Sequence, residues 1–403
     1  MSRLGQYVAS LKPVGLAAGA IMWVVWVISI ALGSGNLDRN GQVIGADHAA
    51  FHTAAVLIHD GRSAELFEFP TVPALAERQE QITGKPGFFN PFRNPPIYGG
   101  LYVPTAYLPY SASYAIWATI SLIMLAVGLA CVCGRKFLIP MLWSLSFYPV
   151  FAVISFGQNS LLSIGVFGLV YLNLSRDRLF ISGLSAALLC YKPQLLLGLG
   201  FWWLLGIRKY WPSLIGLLCA SAIFVGLNYA TMPEATTAFV RNFPELARYD
   251  AFDFYNLHNP RGFGALLTGD KSVGNWLGAV CFVLTLIWLA RFWRRHGNDY
   301  SLMFSAAIFA TLFGSPHTMI YEWSLIILAA CVLWRVRPNQ RTEWLMLFAF
   351  AWIVLFVSTP LTKWQVDSIG YAVQVSVPAL ALIALAAERV LDRWRTTANQ
   401  CGT

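Results

Sequence analysis

Two kinds of stretch in this chain put ionisable side chains where proton or phosphate chemistry needs them. The first is G-A-D-H-A-A-F-H-T-A-A-V-L-I-H-D-G, residues 45–61. Its spacing predicts an amphipathic helix over 45–59, with His48, His52 and His59 roughly on one stripe and Asp47 in the first turn. Asp47 has two readings. A carboxylate at a helix N-terminus caps free N–H groups and is favoured by the dipole. At a membrane surface it can instead remove a proton from a hydroxyl, if its geometry and pKa suit that proton. His48 and His52 have the i, i+4 spacing of helical metal ligands, but no convincing third ligand accompanies them.

The second kind is the lone charge in apolar surroundings. Arg93, in F-R-N-P-P, stands at the entry to 41 residues without a charge. It suits a phosphate contact, or an interfacial arginine whose stem lies along apolar surface. Lys192, in C-Y-K-P-Q beside Gln194, is the sole charge in the 29 residues 179–207. A charge at such depth is costly and marks a functional candidate, and a compact cation pairs naturally with a lipid phosphate. Gln158 and Asn159, in F-G-Q-N-S, suit either sugar hydroxyls or the backbone of a tight turn. Residues 248–264 interleave Tyr249, Phe254 and Tyr255 with His258, Asn259 and Arg261. That pattern fits sugar rings and equally an interfacial aromatic belt. His258 has no Asp or Ser partner at a triad spacing. His317 and Glu322, in G-S-P-H-T-M-I-Y-E-W, fall at the mouth of an apolar run, where Glu322 must face protein or water.

The elements that position these residues are membrane helices. Of 403 residues, 57% are hydrophobic and 12% charged, far too apolar for a soluble domain. Apolar runs predict an all-α polytopic protein of about twelve spans, near 13–33, 112–133, 138–155, 158–174, 179–191, 194–207, 212–230, 274–291, 300–314, 318–334, 343–360 and 370–387. The first run is read as a retained helix, because it lacks a clear cleavage site. Seventeen of the 28 basic residues, with five of the 19 acidic ones, fall in alternate gaps, which puts both termini in the cytoplasm. The net charge of +9 is thus a topology signal, and nucleic acid is not an expected partner. Residues 97–110, with Pro104 and Pro109, read as a re-entrant or interfacial piece. Residues 179–207 read as a hairpin too short to cross, with Lys192-Pro193 at its tip. One integral membrane domain over 1–403 is expected, with two long outer loops, about 34–97 and 231–273, where polar groups converge. The seven cysteines lie in or beside apolar runs or in the tail, so neither a disulfide framework nor a cysteine-rich metal site is expected. No phosphate-binding glycine loop, dinucleotide fingerprint or zinc-protease motif occurs.

The order of these motifs resembles glycosyltransferase family 87, integral membrane enzymes of the GT-C type. The carriers are Asp47 with Ala55, Ile58 and Gly61, then Asn94-Pro95-Pro96, Gly157-Gln158-Asn159, Lys192-Pro193-Gln194 and Ser315-Pro316-His317. The resemblance implies a polyprenyl-phosphate sugar donor, often of mannose, and a lipid or glycan acceptor. It implies inverting transfer on the non-cytoplasmic face of the inner membrane, with Asp47 as base. The chain departs from the family in having Asn94 where a tyrosine is common, His48 after the acidic residue, and His317 directly after Pro316. A phosphate leaving group needs little acid assistance, so no metal or other cofactor is expected. His48, His52, Arg93, Gln158, Asn159, Lys192, Gln194, His258, Arg261, His317 and Glu322 are the expected substrate contacts. The rival readings are a transporter of lipid-linked sugar, which would need the same cations without bond making, and a scaffold subunit indifferent to Asp47 and Lys192.

Overall fold

The computed structural model describes residues 12–68, 72–248 and 254–401. Helix α1 (Lys12–Ala31) leads through a turn-rich stretch to α2 (Ala46–His59), α3 (Pro73–Thr83) and the short α4 (Pro96–Gly100). Next come α5 (Tyr110–Cys133), α6 (Leu138–Leu145), α7 (Tyr148–Phe156), α8 (Ser160–Ser175) and α9 (Leu179–Ala187). They are followed by α10 (Leu197–Leu205), α11 (Ile207–Thr231), α12 (Pro233–Arg248) and α13 (Pro260–Thr268). The chain ends with α14 (Lys271–His296), α15 (Tyr300–Gly314), α16 (Ile326–Val336), α17 (Arg341–Ile369) and α18 (Ser376–Cys401). Among the described residues pairing between extended segments is limited to isolated bridges, so the all-α expectation holds.

The expected twelve spans do not all reappear as long helices. Among the described residues five helical stretches are long and apolar enough to cross a bilayer: 13–31, 110–136, 207–231, 271–296 and 338–369. A sixth arises if α6 and α7 count as one span, bent by 70° at their junction. Phe147 is extended there and Pro149 lies in the first turn of α7, so the hydrogen-bond ladder is interrupted. Of the remaining expected spans, 158–174, 194–207 and 300–314 correspond to shorter apolar helices, 179–191 to the nine-residue α9, and 370–387 falls partly in the 26-residue α18. In α15 nearly every side chain is buried, including Phe304 and Leu312. A helix that is apolar all round can be a core helix as well as a membrane span, and length separates the two. The expected span 318–334 is likewise a 3-10 turn, Ile320–Leu325, followed by the eleven residues of α16. The outward faces of the long helices carry exposed Ile21, Val25, Leu218, Ile223, Val283 and Leu284, surface that suits hydrocarbon and not water.

Both irregular stretches are broken into short elements. Residues 97–110 form α4, a 3-10 turn at Val103–Thr105 and loops before α5. Residues 179–207 form α9, a turn and α10, with Lys192 in the turn. A main core of Ile164, Phe167, Trp202, Phe304 and Trp323 ties α8, α10, α15 and the 320–325 turn together. A second cluster of Phe51, Phe67, Leu75, Tyr98 and Tyr191 fastens α2 and α3 beside the 188–192 turn. Two glycines set the approach. Gly45 precedes α2 at φ 65, and Gly157 ends α7 at φ 70; a Cβ at Gly157 would lie 2.6 Å from that of His48. Asn94 donates to the Tyr191 carbonyl at 2.9 Å, and the Ile97 N–H donates to Asn228 Oδ1 at 3.0 Å. The first loop is thereby pinned onto α11 and the lysine-bearing turn.

Candidate active site

Asp47 stands in the first turn of α2, yet it is not the cap. The N-cap is Gly45 and no side chain caps the helix. Instead Asp47 Oδ1 accepts from Asn90 Nδ2 at 2.7 Å. Asn90 is held by a reciprocal pair with the buried Gln79 of α3: its N–H donates to Gln79 Oε1 and its carbonyl accepts from Gln79 Nε2, both at 2.7 Å. Burial pushes the Asp47 carboxyl above the ordinary Asp value, opposed by the hydrogen bond from Asn90 and by the charges of Lys192 and Arg93. Taken as a whole, the residue is half-buried.

Lys192 stands at the hairpin tip. Its Nζ donates to Glu322 Oε1 at 3.0 Å and to Gln158 Oε1 and Ser160 Oγ at 3.3 Å each. The Tyr321 ring lies 5.3 Å from the ammonium, and the Tyr321 hydroxyl accepts from Gln158 Nε2 at 3.1 Å. Glu322 also accepts from the Met319 N–H, which fixes its rotamer within the 320–325 turn. Burial lowers His317 to about 3, helped by the charges of Arg93, Lys192 and Arg261. The first loop, the α7–α8 turn, the 188–192 turn, the second loop and the 315–322 segment are thus joined by contacts into one polar cluster. It holds a carboxylate base candidate, cations and polar side chains, the set required to activate a hydroxyl and stabilise an anionic leaving group.

The sequence model of glycosyltransferase family 87 matches residues 92–316. The match covers more than half of the chain and carries Arg93, Gln158, Asn159, Lys192, His258 and Arg261. The chain belongs to glycosyltransferase family 87. Neither curated proteins nor solved structures gave a match. It is a membrane glycosyltransferase, and family membership displaces the transporter and scaffold readings.

Within this family-87 chain several expected substrate contacts have other work. His48 Nε2 and His52 Nδ1 both meet the Ser113 hydroxyl of α5, at 3.0 and 3.1 Å. The spacing that matched metal ligation serves this clamp. Burial lowers His48 to about 3 and His52 to about 4, so both are neutral at physiological pH. His59, expected on the same stripe, lies at the exposed end of α2 beside Asp60 and Tyr107. His258 is wholly buried, with Nδ1 against Ser376 at 2.7 Å and Nε2 against Thr359 at 2.9 Å. It ties the second loop to α17 and α18, and both ring nitrogens are occupied. Asn259 N-caps α13 through Gly262 and donates to the Ser315 carbonyl. Asn159 is buried and Gln158 bends back to its N–H, so of this pair Gln158 belongs to the polar cluster. Gln194 is half-buried, and no side-chain hydrogen bond from it occurs among the described residues. Tyr249 lies outside the described residues.

Sequence reasoning missed four participants: Asn90, Gln79, Ser160 and Tyr321. Tyr321 had a visible signal, standing beside Glu322. Ser160 adjoins Gln158-Asn159. Gln79 and Asn90 carried none, because polar residues in a polar loop are unremarkable until one is found fully buried.

Proposed function

We propose that this glycosyltransferase moves a sugar, mannose or another pyranose or pentose, from a polyprenyl-phosphate carrier to a lipid or glycan acceptor. The reaction takes place on the non-cytoplasmic face of the cytoplasmic membrane, by a single displacement. The acceptor hydroxyl gives its proton to Asp47 as its oxygen attacks the anomeric carbon. The bond from that carbon to the phosphate oxygen breaks, and the polyprenyl phosphate leaves with the bonding electrons. One displacement inverts the anomeric configuration. Arg93, Arg261 and Lys192 supply the positive field that the departing phosphate needs. Phosphate leaves as a stabilised anion, so no metal is required in this scheme.

One observation carries the reading: the Asp47 carboxylate in the first turn of α2 caps no helix end and is held by Asn90, within the electrostatic reach of Lys192 and Arg93. A positioned base contributes on the order of 10²–10⁴ in rate. The test is transfer from a labelled polyprenyl-phosphate sugar panel to lipids extracted from the native membrane. Wild type should form product, and Asp47→Asn should lose about 10³-fold while keeping its fold. Substantial transfer by folded Asp47→Asn removes Asp47 from the role.

A further inference from the structure

A groove of about 550 Å³ opens between α1, α7 and α17 and shares no residue with the catalytic cluster. One face of α1 forms its floor, from Ala18 through Ile21 and Val25 to Ser29, at the spacing of a single helical stripe. Phe151 of α7 and Phe356 of α17 stand opposite. Helix α1 is fastened by other residues: the Trp23 indole N–H donates to the Leu145 carbonyl at 2.7 Å, and Gly19 lies against Ser146. The grooved face stays open, with Ile21 63% and Val25 60% exposed. In a bilayer such a surface takes up hydrocarbon. The stripe from Ala18 to Ser29 is about 16 Å long, close to half of a ~30 Å hydrocarbon core. That is the reach of one acyl chain in one leaflet.

One end of the groove is polar, closed by Ser29, Asp38 and Asn40. Asp38 Oδ1 accepts from the N–H groups of Asn40 and Gln42 at 2.8 and 2.9 Å, and Oδ2 accepts from Ser29 Oγ at 3.2 Å. All three donors are neutral, and a carboxylate has about four lone-pair sites, so one is left. Among the described residues no cation pairs with Asp38. Arg39 follows it. Its N–H donates to the Ser29 carbonyl at 2.9 Å, the residue is exposed, and no carboxylate among the described residues pairs with it. A negative and a positive charge, adjacent and unmatched, therefore border the open end of an apolar groove. A zwitterionic head group complements both. A lipid whose only charge is a phosphate would leave Asp38 unmatched and be repelled by it.

We propose that this groove holds one molecule of phosphatidylethanolamine, with an acyl chain along α1, its ammonium on Asp38 and its phosphate on Arg39. The site uses none of the residues assigned to glycosyl transfer and does not depend on that reading. The turn that carries Asp38 and Arg39 runs on into α2, held by the Ile44 N–H on the Asn36 carbonyl at 3.0 Å. The bound lipid thus braces the approach to the helix that bears Asp47.

The test is native mass spectrometry of the delipidated full chain in detergent, titrated separately with dioleoyl-phosphatidylethanolamine, dioleoyl-phosphatidylglycerol and decaprenyl phosphate. Val25→Trp fills the groove from an open helix face, so the binding it removes is the binding that belongs to the groove. Within that share, phosphatidylethanolamine should bind about 5-fold more tightly than phosphatidylglycerol, the size of one partly exposed ion pair. Asp38→Asn keeps an oxygen for the N–H groups of the turn and should bring the two lipids within about 2-fold of each other. Arg39→Ala should weaken both phospholipids alike. Equal binding of the two by wild type overturns the proposal, as does an undiminished preference in Asp38→Asn. Phosphatidylethanolamine binding that Val25→Trp leaves intact overturns it too. Tighter binding of decaprenyl phosphate in the groove would give the site to the sugar carrier instead. No arm needs turnover, so failure here leaves the transfer reading untouched.

Discussion

Helix α2 has two faces with opposite chemistry, separated by one residue. Asp47 faces Asn90 and is half-buried, with two cations within its electrostatic reach. His48 and His52 point the other way, 1% and 3% exposed, with their rings locked on Ser113 and packed among Tyr102, Tyr110 and Tyr114. One face keeps a charge ready to change, and the other removes titration altogether. The difference shows that a histidine in a membrane enzyme is not reactive by type. Here the imidazoles fix the helix that carries the carboxylate. The second loop repeats the lesson, with His258 sealed between Ser376 and Thr359 while Arg261 stays partly open.

The comparison can be broken at several points around the Asp47–His48 pair. After Asp47→Asn, Arg93→Ala should have the largest effect, about a 100-fold loss in kcat/KM borne mainly by KM for the donor; a loss in kcat alone would put Arg93 elsewhere. Ser113→Ala should strip the shared partner from both imidazoles. It is expected to cost about 1–3 kcal/mol in stability, read as a lowered denaturation midpoint in detergent, with little change in activity per folded molecule. A large fall in that specific activity would make the histidine face part of the chemistry. Asn90→Ala removes a hydrogen bond that favours the ionised carboxylate. The acidic limb of kcat/KM should move to higher pH and kcat fall by about 10-fold; an unmoved limb would show that Asn90 does not bear on the base.

The smallest expected effect is on stability against pH. His48, His52, His258 and His317 are all held below their ordinary value of 6.5, at about 3 to 4. Each is neutral in the fold and takes up a proton on unfolding below 6.5, so its contribution is complete above that pH. It is lost as pH falls from about 6.5 towards about 3. His258→Gln should flatten this decline in the melting midpoint; an unchanged slope would mean that His258 is not sealed.

Much of the site was legible in the sequence because lone charges in apolar runs have few uses. Arg93 and Lys192 stood out that way, Asp47 by its place in the first turn of a helix, and His317 and Glu322 at the mouth of an apolar run; the structure pairs Lys192 with Glu322. The helix over 45–59 was legible from its stripe of histidines and small residues. What the stripe could not say was which face met substrate. That depends on Ser113, supplied by α5 far along the chain. Capping by Asp47 was equally legible and did not occur, because Gly45 in the left-handed region turns the chain and Asn90 offers a better donor. The twelve expected spans do not all reappear as long apolar helices, for a physical reason. Hydropathy measures apolarity, and the buried α15 is as apolar as a lipid-facing helix, so short core helices and true spans read alike.

The two faces of α2 are tested most directly by Asp47→Asn and His48→Gln measured side by side. The full chain in nanodiscs would be assayed for single-turnover transfer from labelled polyprenyl-phosphate sugar, with melting midpoints from the same preparations. Asp47→Asn should lose about 10³-fold in rate with an unchanged midpoint, and His48→Gln should lose midpoint while its folded fraction stays within about 10-fold of wild type. The reverse pattern, an active Asp47→Asn and a stable but inactive His48→Gln, would contradict the assignment of chemistry to one face and anchoring to the other.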